Sequence, residues 1–451
     1  MANVYKVLCL AAVLAASVVD VMALDGAWRG KLQLGQMELP LVFNFKDGGD
    51  GKVDCTLDSP AQGAKGIPAE VTFCSADSVA VVCRMIGASY SGSVTADRIT
   101  GNFSQRGMSL PLLLTPETPL SERRPQTPRP PYPYMAVDTV FAAPDGELMS
   151  ATLTMPEGWK KGNVPAVVMV TGSGAQNRDE ELMDHKPFAV IADYLARNGV
   201  ASLRYDDRGV GRSGGDFQKG TTDTFKDDAA AAIDFLRGFD EVGPVGVVGH
   251  SEGGTIALML AGEGKPDFVI SLAGMAESGK QTLMRQNRRA LAGSGISGEQ
   301  LESCMALIGK GFDLVAEQER TGEKSEIDMA AVSASEGLDV DPMIIASLQS
   351  SMKTRTPWFD RFVALDPEDS LKKIKCAVLA VNGDKDTQVD ADGNLAVIKA
   401  NVPQAETVKA AGLNHLMQHA ETGDISEYDS ITETFAPEVL EMMLAFIRGQ
   451  Q

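Results

Sequence analysis

The spacing of apolar and polar residues divides the chain into two regions with different periodicity. Residues 24–115 contain short apolar or alternating runs, such as 38–45, 79–83 and 109–114, separated by clusters of Gly, Asp and Ser. Alternation with a period of two is typical of half-buried β-strands, and such clusters are typical of turns. This region is therefore predicted to be a small all-β domain, built as an antiparallel sheet or a barrel.

From residue 135 the pattern changes to apolar runs that alternate with amphipathic segments. This alternation predicts a parallel sheet with helices on its faces. The sequence Pro-Asp-Gly at 144–146 predicts a hairpin between the first two strands of this region. The clearest predicted strands are 166–170, 200–205, 268–272, 377–381 and 406–410, and the clearest predicted helices are 187–197, 225–237 and 437–448.

A proline-rich segment joins the two regions. Residues 116–134 contain seven prolines, a composition typical of an extended and semi-rigid linker. We therefore place the domain boundary in this segment and assign residues 135–451 to the second domain.

Residues 278–365 interrupt the alternation of strands and helices. They are polar, rich in Met and helix-forming, and they fall between two predicted sheet strands. An insertion at the carboxyl edge of a parallel sheet is expected to cover the active site as a helical cap. For any single apolar residue of the cap, packing of the cap onto the sheet is favoured, but as a set we expect these residues to line a pocket; they are Met284, Met305, Leu307, Met343, Met352, Trp358 and Phe359.

The candidate nucleophile lies in the stretch 245–261. A Val-rich run typical of a buried strand leads into Gly-His-Ser-Glu-Gly at 249–253, and an apolar run of helix formers follows. This is the G-x-S-x-G pattern of a nucleophile elbow, a turn so sharp that side chains at Gly249 and Gly253 would collide. The alternative is a Gly-rich turn with a surface serine. The flanking strand and helix favour a nucleophilic Ser251.

A serine nucleophile needs a general base, and in α/β hydrolases the order along the chain is Ser, acid, His. The chain contains four histidines, of which His415 and His419 follow Ser251. We favour His415 because it lies on the loop after the last predicted strand. His250, which adjoins the candidate nucleophile, is interpreted as a packing or tuning residue, and His185 as a capping or packing residue.

The acid is expected on the loop after the predicted strand 377–381, where Asp384 and Asp386 compete. Asp384 directly follows Asn-Gly and suits a turn. Asp386 lies further out, where its carboxylate can meet Nδ1 of His415, so we favour Asp386.

Two backbone N–H groups are predicted to form the oxyanion hole. The first belongs to Glu252, the residue after the nucleophile. The second is assigned to Ser173, in the loop Thr-Gly-Ser-Gly-Ala at 171–175, where the flanking glycines allow the backbone to approach the substrate closely.

Composition limits the partners of the protein. The formal net charge of −20 predicts repulsion from nucleic acids and from anionic membranes. Cys and His residues do not cluster with metal-ligand spacing, and the five cysteines beyond Cys9 are too scattered for a disulfide framework. We therefore expect no nucleic-acid partner, no metal and no cofactor.

The first residues have the composition of a secretory signal peptide. Lys6 precedes an apolar run at 7–19, and Val21-Met22-Ala23 completes a cleavage site. We expect residues 1–23 to be removed, with cleavage near Ala23, and the protein to be secreted or periplasmic. Later apolar runs are shorter than the about 20 residues of a membrane span, so the mature chain is not expected to insert into a membrane.

These motifs together resemble the α/β-hydrolase superfamily and, more closely, its secreted, EstD-like bacterial esterases with a β-rich N-terminal domain. The resemblance rests on residues 171–180, 204–213, 249–253, 382–389 and 412–415. It implies an α/β-hydrolase fold, a mostly parallel sheet with helices on both faces, with a helical cap insertion and a small all-β N-terminal domain. Thr171 departs from the pattern, since many members have His there.

The resemblance also implies a triad of Ser251, Asp386 and His415 that hydrolyses a small-molecule ester with a short acyl chain. A serine peptidase of the same superfamily is the first alternative, and it would hold a substrate amine with acidic residues such as Glu180 or Glu181. The second alternative is an envelope-binding module that docks through its β-rich domain.

Overall fold

The structure is a computed structural model that describes residues 24–34, 37–49 and 52–450. The predicted signal peptide, residues 1–23, lies outside the described residues. The chain divides into two compact units between Pro119 and Leu120. This division falls inside the segment that was predicted to be a linker.

The first unit is a closed barrel of eight antiparallel strands in sequence order. The barrel closes where β1 pairs with β8 through Trp28 and Arg29. Side chains on one face of each strand fill the interior, which includes Phe43, Leu57 and Tyr90. The prediction of an all-β, barrel-like domain is thus confirmed. The strands are β1 Gly26–Leu34, β2 Met37–Gly49, β3 Lys52–Ser59, β4 Ala64–Cys74, β5 Ser78–Cys83, β6 Ala88–Val94, β7 Ile99–Gln105 and β8 Met108–Pro116.

The second unit is built on an eight-stranded sheet with the order β16-β15-β14-β13-β11-β12-β10-β9. Strands β11 to β16 pair in parallel, whereas β9 and β10 form the predicted hairpin and pair antiparallel. The strands are β9 Met135–Ala142, β10 Leu148–Met155, β11 Val164–Val170, β12 Ala201–Tyr205, β13 Val242–His250, β14 Phe268–Leu272, β15 Ala377–Gly383 and β16 Glu406–Ala410.

Helices cover both faces of this sheet. The apolar sides of α2 and α12 pack against one face, and those of α3, α4, α10 and α11 pack against the other. This arrangement confirms the predicted α/β-hydrolase fold. The helices of the second unit are α1 Leu120–Arg123, α2 Pro187–Arg197, α3 Thr222–Arg237, α4 Glu252–Gly262, α5 Gly279–Gly293, α6 Gly298–Thr321, α7 Met329–Glu336, α8 Pro342–Lys353, α9 Pro357–Val363, α10 Glu368–Leu371, α11 Ala391–Asn401 and α12 Pro437–Arg448.

Most predicted helices and strands of this unit lie within two residues of their expected positions. Helix α3 is an exception, because it begins at Thr222 rather than at residue 225. The reason is a capping box, in which Thr221 accepts the N–H of Thr224 and the Thr224 hydroxyl accepts the N–H of Thr221. Among the described residues, no helix combines the length and the apolar composition that a membrane span requires.

The insertion between β14 and β15 folds into five helices, α5 to α9, as predicted for the cap. Its methionines, however, do not line a pocket at the sheet. Met305 and Met352 are buried in a core that the insertion forms by itself, and Met343 is 82% exposed. The difference arises because Met305 on α6 and Met352 on α8 lie on helix sides that face other cap helices and pack there.

Residues from Leu120 onward are fixed to the second unit. The guanidinium of Arg124 is buried and donates hydrogen bonds to the backbone carbonyls of Met183, Asp429 and Ile431, each at 2.9 Å. One side chain thus donates hydrogen bonds to backbone carbonyls of two loops that are distant in the sequence. The extended-linker description therefore does not hold for the part of the segment that follows α1.

Parallel strands bring their carboxyl ends to the same edge of a sheet, and in such sheets the sites lie at that edge. Strands β11, β13, β15 and β16 end at Val170, His250, Gly383 and Ala410. Each of the four predicted site segments follows one of these ends. The topology therefore brings residues that are up to about 240 positions apart in the sequence to one edge.

Candidate active site

The loop between β13 and α4 has the backbone geometry of a nucleophile elbow. Ser251 has φ 53° and ψ −118°, a conformation that non-glycine residues rarely adopt. A Cβ atom on Gly249 would lie 2.0 Å from the carbonyl oxygen of Gly253, and a Cβ on Gly253 would lie 2.1 Å from that of Val170. Both positions therefore require glycine, as the sequence pattern predicts.

The predicted oxyanion loop lies directly against the nucleophile. A Cβ atom on Gly172 would be 3.2 Å from Cβ of Ser251. Ser173, the next residue, is exposed, and Ser251 is half-buried. A substrate carbonyl can therefore reach both residues from the solvent side.

The second feature of the site is a buried imidazole–carboxylate pair. Nδ1 of His415 lies 2.8 Å from Oδ2 of Asp386, and both side chains are almost completely buried. The other oxygen of Asp386 accepts the backbone N–H groups of Gln388 and Val389 at 2.8 and 2.9 Å. Within the described part of the chain, Nε2 of His415 has no hydrogen-bond partner. The ring is thus held by one nitrogen only.

The two competing residues are placed elsewhere. Asp384 is exposed, and its carboxylate accepts the N–H of Gly412 at 2.7 Å, which closes a turn. His419 is also exposed, and its ring nitrogens lie 2.9 Å from Glu433 and 3.0 Å from Glu438. The structure thus brings Asp386 and His415 together and keeps the alternatives at the surface.

A second histidine–carboxylate pair lies beside the first. Nδ1 of His250 is 2.9 Å from Oε1 of Glu180, and Nε2 is 2.9 Å from the backbone carbonyl of His415. The same oxygen of Glu180 accepts the N–H of Gly172 at 2.7 Å. Burial lowers the pKa of His250, but Glu180 and the His415 carbonyl outweigh burial, so the pKa is raised. This pair connects the predicted oxyanion loop, the elbow and the loop that carries His415. Glu180 and His250 are 70 positions apart, and the sequence offered no signal for their contact.

His185 is a packing residue, as the sequence interpretation favours. Its ring is fully buried between the hydroxyl of Thr434 at 3.0 Å and the carbonyl of Tyr428 at 2.9 Å. Burial lowers its pKa to about 4, and the nearby Arg124 acts in the same direction.

The two N–H groups predicted for the oxyanion hole lie on segments that meet at the elbow. Glu252 is the first residue of α4, so its N–H has no partner inside the helix, and Ser173 lies on the loop against Ser251. Across the residues that the structure describes, no protein acceptor is bonded to either N–H. The N–H of Gly172, in contrast, is taken by Glu180.

A buried carboxyl group supports the oxyanion loop from below. Asp207 accepts hydrogen bonds from the Thr171 hydroxyl at 2.8 Å and from the N–H of Gln176 at 2.9 Å. Burial raises the pKa of Asp207 to about 8. Thr171, where the sequence departs from the pattern it resembles, uses its hydroxyl as the contact to this carboxyl.

The cap reaches the elbow through its last helix, α9. Nε1 of Trp358 donates to both carboxylate oxygens of Glu252, at 2.9 and 3.0 Å, and the indole stacks on Phe362 with ring centres 4.9 Å apart. Phe362 belongs to a small apolar cluster with Met275 and Val389, which follow the ends of β14 and β15. These residues form an apolar wall beside the elbow.

The predicted role of Phe359 in this wall is wrong. Phe359 packs inside the cap against Phe312, with ring centres 5.8 Å apart. On a helix, residues one apart point in different directions, so Trp358 and Phe359 cannot face the same side. Phe362, four positions after Trp358, takes the place beside it. Within the described residues, no group of three or more His, Cys, Asp or Glu side chains is arranged to hold a metal ion.

A known protein family matches most of the second unit. The sequence model of the X-Pro dipeptidyl-peptidases, the S15 family, matches residues 145–419, which is more than half of the chain. The chain belongs to the S15 family. The S15 match contains Ser251, Asp386 and His415, and the barrel lies outside it.

Two curated relatives match shorter parts of this S15 chain. Esterase EstD of Thermotoga maritima is 33% identical over 121 residues, which is 27% of this chain and 29% of EstD. An acyl transferase of Photorhabdus luminescens is 28% identical over 142 residues, which is 31% of this chain and 43% of the transferase. The match thus spans less than half the length of either relative. The resemblance to EstD that the motifs indicate is confirmed by the first of these.

Solved structures that are similar include two esterases. Esterase PF2001 of Pyrococcus furiosus has a TM-score of 0.44 and 14% identity, and the match covers 70% of this chain and 91% of the esterase. Est1E of Butyrivibrio proteoclasticus has a TM-score of 0.40 and 19% identity, with 70% of this chain and 98% of Est1E covered.

Proposed function

We propose that the protein is a secreted serine esterase that hydrolyses carboxylic esters with short acyl chains. One observation carries the proposal: the buried His415–Asp386 pair and the strained Ser251 follow strands that end at the same edge of the sheet, and the described residues leave one imidazole nitrogen of His415 unoccupied. The carbonyl of His415 also bonds to the ring of His250, the residue before Ser251. This constellation is what nucleophilic serine catalysis requires. The name of the curated relative EstD supports esters as the substrate class.

In the proposed reaction, Ser251 Oγ attacks the acyl carbon while Nε2 of His415 accepts the hydroxyl proton. Asp386 holds Nδ1–H of the ring and stabilises the imidazolium that forms. The N–H groups of Glu252 and Ser173 donate to the oxyanion of the tetrahedral intermediate. The imidazolium then gives its proton to the leaving alkoxide, and an acyl-serine remains.

Water completes the cycle by the same chemistry. His415 takes a proton from the attacking water, a second tetrahedral intermediate forms, and its collapse releases the carboxylic acid and returns the proton to Ser251. Each N–H donor is expected to contribute ~10²–10³ to the rate.

The second candidate function is peptide cleavage, which the family name favours. A dipeptidyl-peptidase must hold the amino group of its substrate, and Glu180 and Glu181 are the acids that the sequence suggests for this role. Glu180 is already bonded to His250 and to Gly172, and Glu181 lies 3.4 Å from Lys186. Because both carboxylates have internal cationic or N–H partners, an ester without an amino group suits the site better.

The decisive experiment compares substrates and removes the nucleophile. We expect p-nitrophenyl acetate and butyrate to be cleaved far faster than dipeptidyl p-nitroanilides that end in Pro. Ser251→Ala should lower kcat by ~10⁴ or more, because the triad acts as a unit. A fluorophosphonate should label the wild-type protein once, at Ser251. Anilide cleavage that exceeds ester cleavage would support the peptidase instead, and labelling at another serine would refute the triad.

The apolar wall predicts the chain-length preference. Trp358 and Phe362 close the site on the cap side, so kcat/KM should peak at short acyl chains. Trp358→Ala should move the optimum to longer chains, with each additional CH₂ contributing at most about 0.8 kcal/mol. An unchanged profile in the variant would remove Trp358 from the acyl pocket.

Secretion is the remaining part of the proposal, and it rests on the composition of residues 1–23. The exported protein should begin immediately after Ala23 when its N-terminus is sequenced. A protein that retains residues 1–23 and stays in the cytoplasm would contradict export.

A further inference from the structure

The side chain of Glu252 is an unusual feature of the elbow, because a carboxylate directly follows the nucleophile and is 2% exposed. It accepts a hydrogen bond from the Thr222 hydroxyl at 2.6 Å, from the Ser173 hydroxyl at 2.8 Å and from the Trp358 indole at 2.9 and 3.0 Å. The three donors come from the start of α3, from the oxyanion loop and from the cap. One carboxylate therefore joins three separate segments at the elbow.

The ionised carboxylate fits this environment. An ionised carboxylate only accepts hydrogen bonds, and the indole N–H can only donate. The N-terminus of α4, at which Glu252 lies, also favours a negative charge. Burial raises the pKa of Glu252 above its ordinary value, and the bonds from Thr222, Trp358 and Ser173 offset only part of that rise.

One of these bonds links the two residues whose backbone N–H groups form the proposed oxyanion hole. Oγ of Ser173 donates to Oε2 of Glu252, so the two donor residues are connected by their own side chains. Ser173 is otherwise exposed, and its neighbour Gly174 has φ 102°. The position of the exposed donor therefore depends on its bond to the buried one.

We propose that the Glu252 carboxylate is a positioning residue, which fixes the spacing of the two oxyanion N–H groups and holds the cap tryptophan beside them. The inference deepens the proposed function and rests on it. Because the same carboxylate binds Ser173 and Trp358, the position of the cap tryptophan and the geometry of the oxyanion hole are coupled. Substrate binding and transition-state stabilisation are therefore expected to respond differently when these hydrogen bonds of Glu252 are disturbed.

The test uses two variants of the full-length enzyme, Ser173→Ala and Glu252→Gln. Ser173→Ala removes the hydroxyl and keeps the backbone N–H, and Glu252→Gln keeps the shape of the side chain but places an NH₂ among the donors. Each should lower kcat about 10-fold, less than the ~10²–10³ of a lost donor, with KM nearly unchanged. Rates are normalised to the sites that a fluorophosphonate titrates.

The Ki of a trifluoromethyl ketone inhibitor provides a further measurement, because a purely structural role of Glu252 would leave this Ki unchanged. The ketone forms a tetrahedral hemiketal with a serine, and this adduct carries an oxyanion. The affinity of the inhibitor therefore reports on the oxyanion hole. Its Ki should rise about 10-fold in each variant, in parallel with the fall in kcat/KM. Ser333→Ala is the matched control, because it removes a buried cap hydroxyl that bonds to the Leu338 carbonyl away from the elbow, and it should leave Ki and kcat unchanged.

The double variant distinguishes a Glu252 carboxylate that acts through Ser173 from a Ser173 hydroxyl that contacts the substrate independently. If Glu252 acts through Ser173, the two effects will not add, and Ser173→Ala with Glu252→Gln will resemble either single variant. Additive losses would mean that the Ser173 hydroxyl contacts the substrate independently, which would overturn the proposal. Unchanged Ki and kcat in Ser173→Ala would overturn it as well, even if Glu252→Gln fails to fold. If the wild type is not labelled at Ser251, it is the proposed function that fails.

Discussion

Two histidine–carboxylate pairs lie side by side at the carboxyl edge of the sheet, and they differ in one atom's environment. In His415–Asp386 and in His250–Glu180, Nδ1 lies 2.8 and 2.9 Å from a carboxylate oxygen, and the two rings are 4.7 Å apart. Nε2 of His250 is bound to the backbone carbonyl of His415. Nε2 of His415 has no such partner among residues 24–34, 37–49 and 52–450.

This difference teaches that an imidazole–carboxylate pair is not by itself a catalytic unit. A ring whose two nitrogens are both bonded to the protein holds loops together, whereas a ring with one unoccupied nitrogen can exchange a proton with a substrate. The carboxylates, in contrast, are held alike. Asp386 accepts N–H groups of the loop after β15, and Glu180 accepts the N–H of Gly172 on its own loop between β11 and α2.

The largest expected difference between the pairs is in kcat. Asp386→Asn should lower kcat by ~10⁴, because the tautomer and the orientation of His415 are lost. Glu180→Gln should act chiefly on stability, with a much smaller loss of kcat per titrated active site. Asp384→Asn is the control on the same loop, and it should cost far less than Asp386→Asn. Equal losses of kcat in Asp386→Asn and Glu180→Gln would remove the distinction between the pairs.

The second difference concerns the free energy of unfolding. His250→Leu leaves the Glu180 carboxylate buried without its cationic partner, which should destabilise the protein by ~3–5 kcal/mol in urea unfolding. His419→Gln removes exposed ion pairs and should cost about 1 kcal/mol or less. A loss below about 1 kcal/mol in His250→Leu would show that the second pair does not hold the site together.

The pH dependence of the unfolding free energy should distinguish His250, which is paired with a carboxylate, from His185, which is not. The raised pKa of His250 gives a stability contribution that is full below about pH 6.5 and is lost as the pH rises through the folded-state pKa. His185 has the opposite sign: its pKa falls from 6.5 to about 4, so below pH 6.5 the unfolded chain binds a proton that the folded chain does not.

The cost of keeping His185 neutral should reach about 3 kcal/mol near pH 4, at ~1.4 kcal/mol per pKa unit. His185→Gln should therefore flatten the fall in unfolding free energy between pH 6.5 and 4, measured by urea titration at several pH values. An identical slope in wild type and variant would contradict the burial of a neutral ring at this position.

The residues of the proposed triad were accessible from the sequence because each lies at a position that local patterns define. The apolar runs of β13, β15 and β16 locate the strand ends, and the topology places the following loops at one edge. Turn chemistry also separated Asp384 from Asp386. Such inferences need the strand boundaries only, and those depend on periodicity over a few residues.

Contacts between distant side chains were not accessible in this way. The bond from Trp358 to Glu252 and the pair of His250 with Glu180 depend on rotamers and on the seating of the cap. The roles of the cap methionines were likewise not predictable. Met305 and Met352 pack in a core inside the insertion, and composition alone does not distinguish such a core from a pocket. The acid at Glu252, directly after the candidate nucleophile, was nevertheless a signal in the sequence, since a carboxylate that becomes buried needs hydrogen-bond donors.

The position of strand β9 at the edge of the sheet affects how readily the protein is expected to aggregate. The barrel of the first unit is closed and has no free strand edge, but β9 lies at the border of the open sheet, with Val137 and Val140 exposed. An exposed edge rich in β-branched residues is a template for pairing with another chain. Asp138, between these valines, is exposed and lies 3.1 Å from Arg178 and 3.6 Å from Arg212, so this edge carries charges. Charged side chains on an edge strand oppose such pairing, and neutralising the Asp138 carboxylate is therefore expected to favour edge-to-edge association at high concentration.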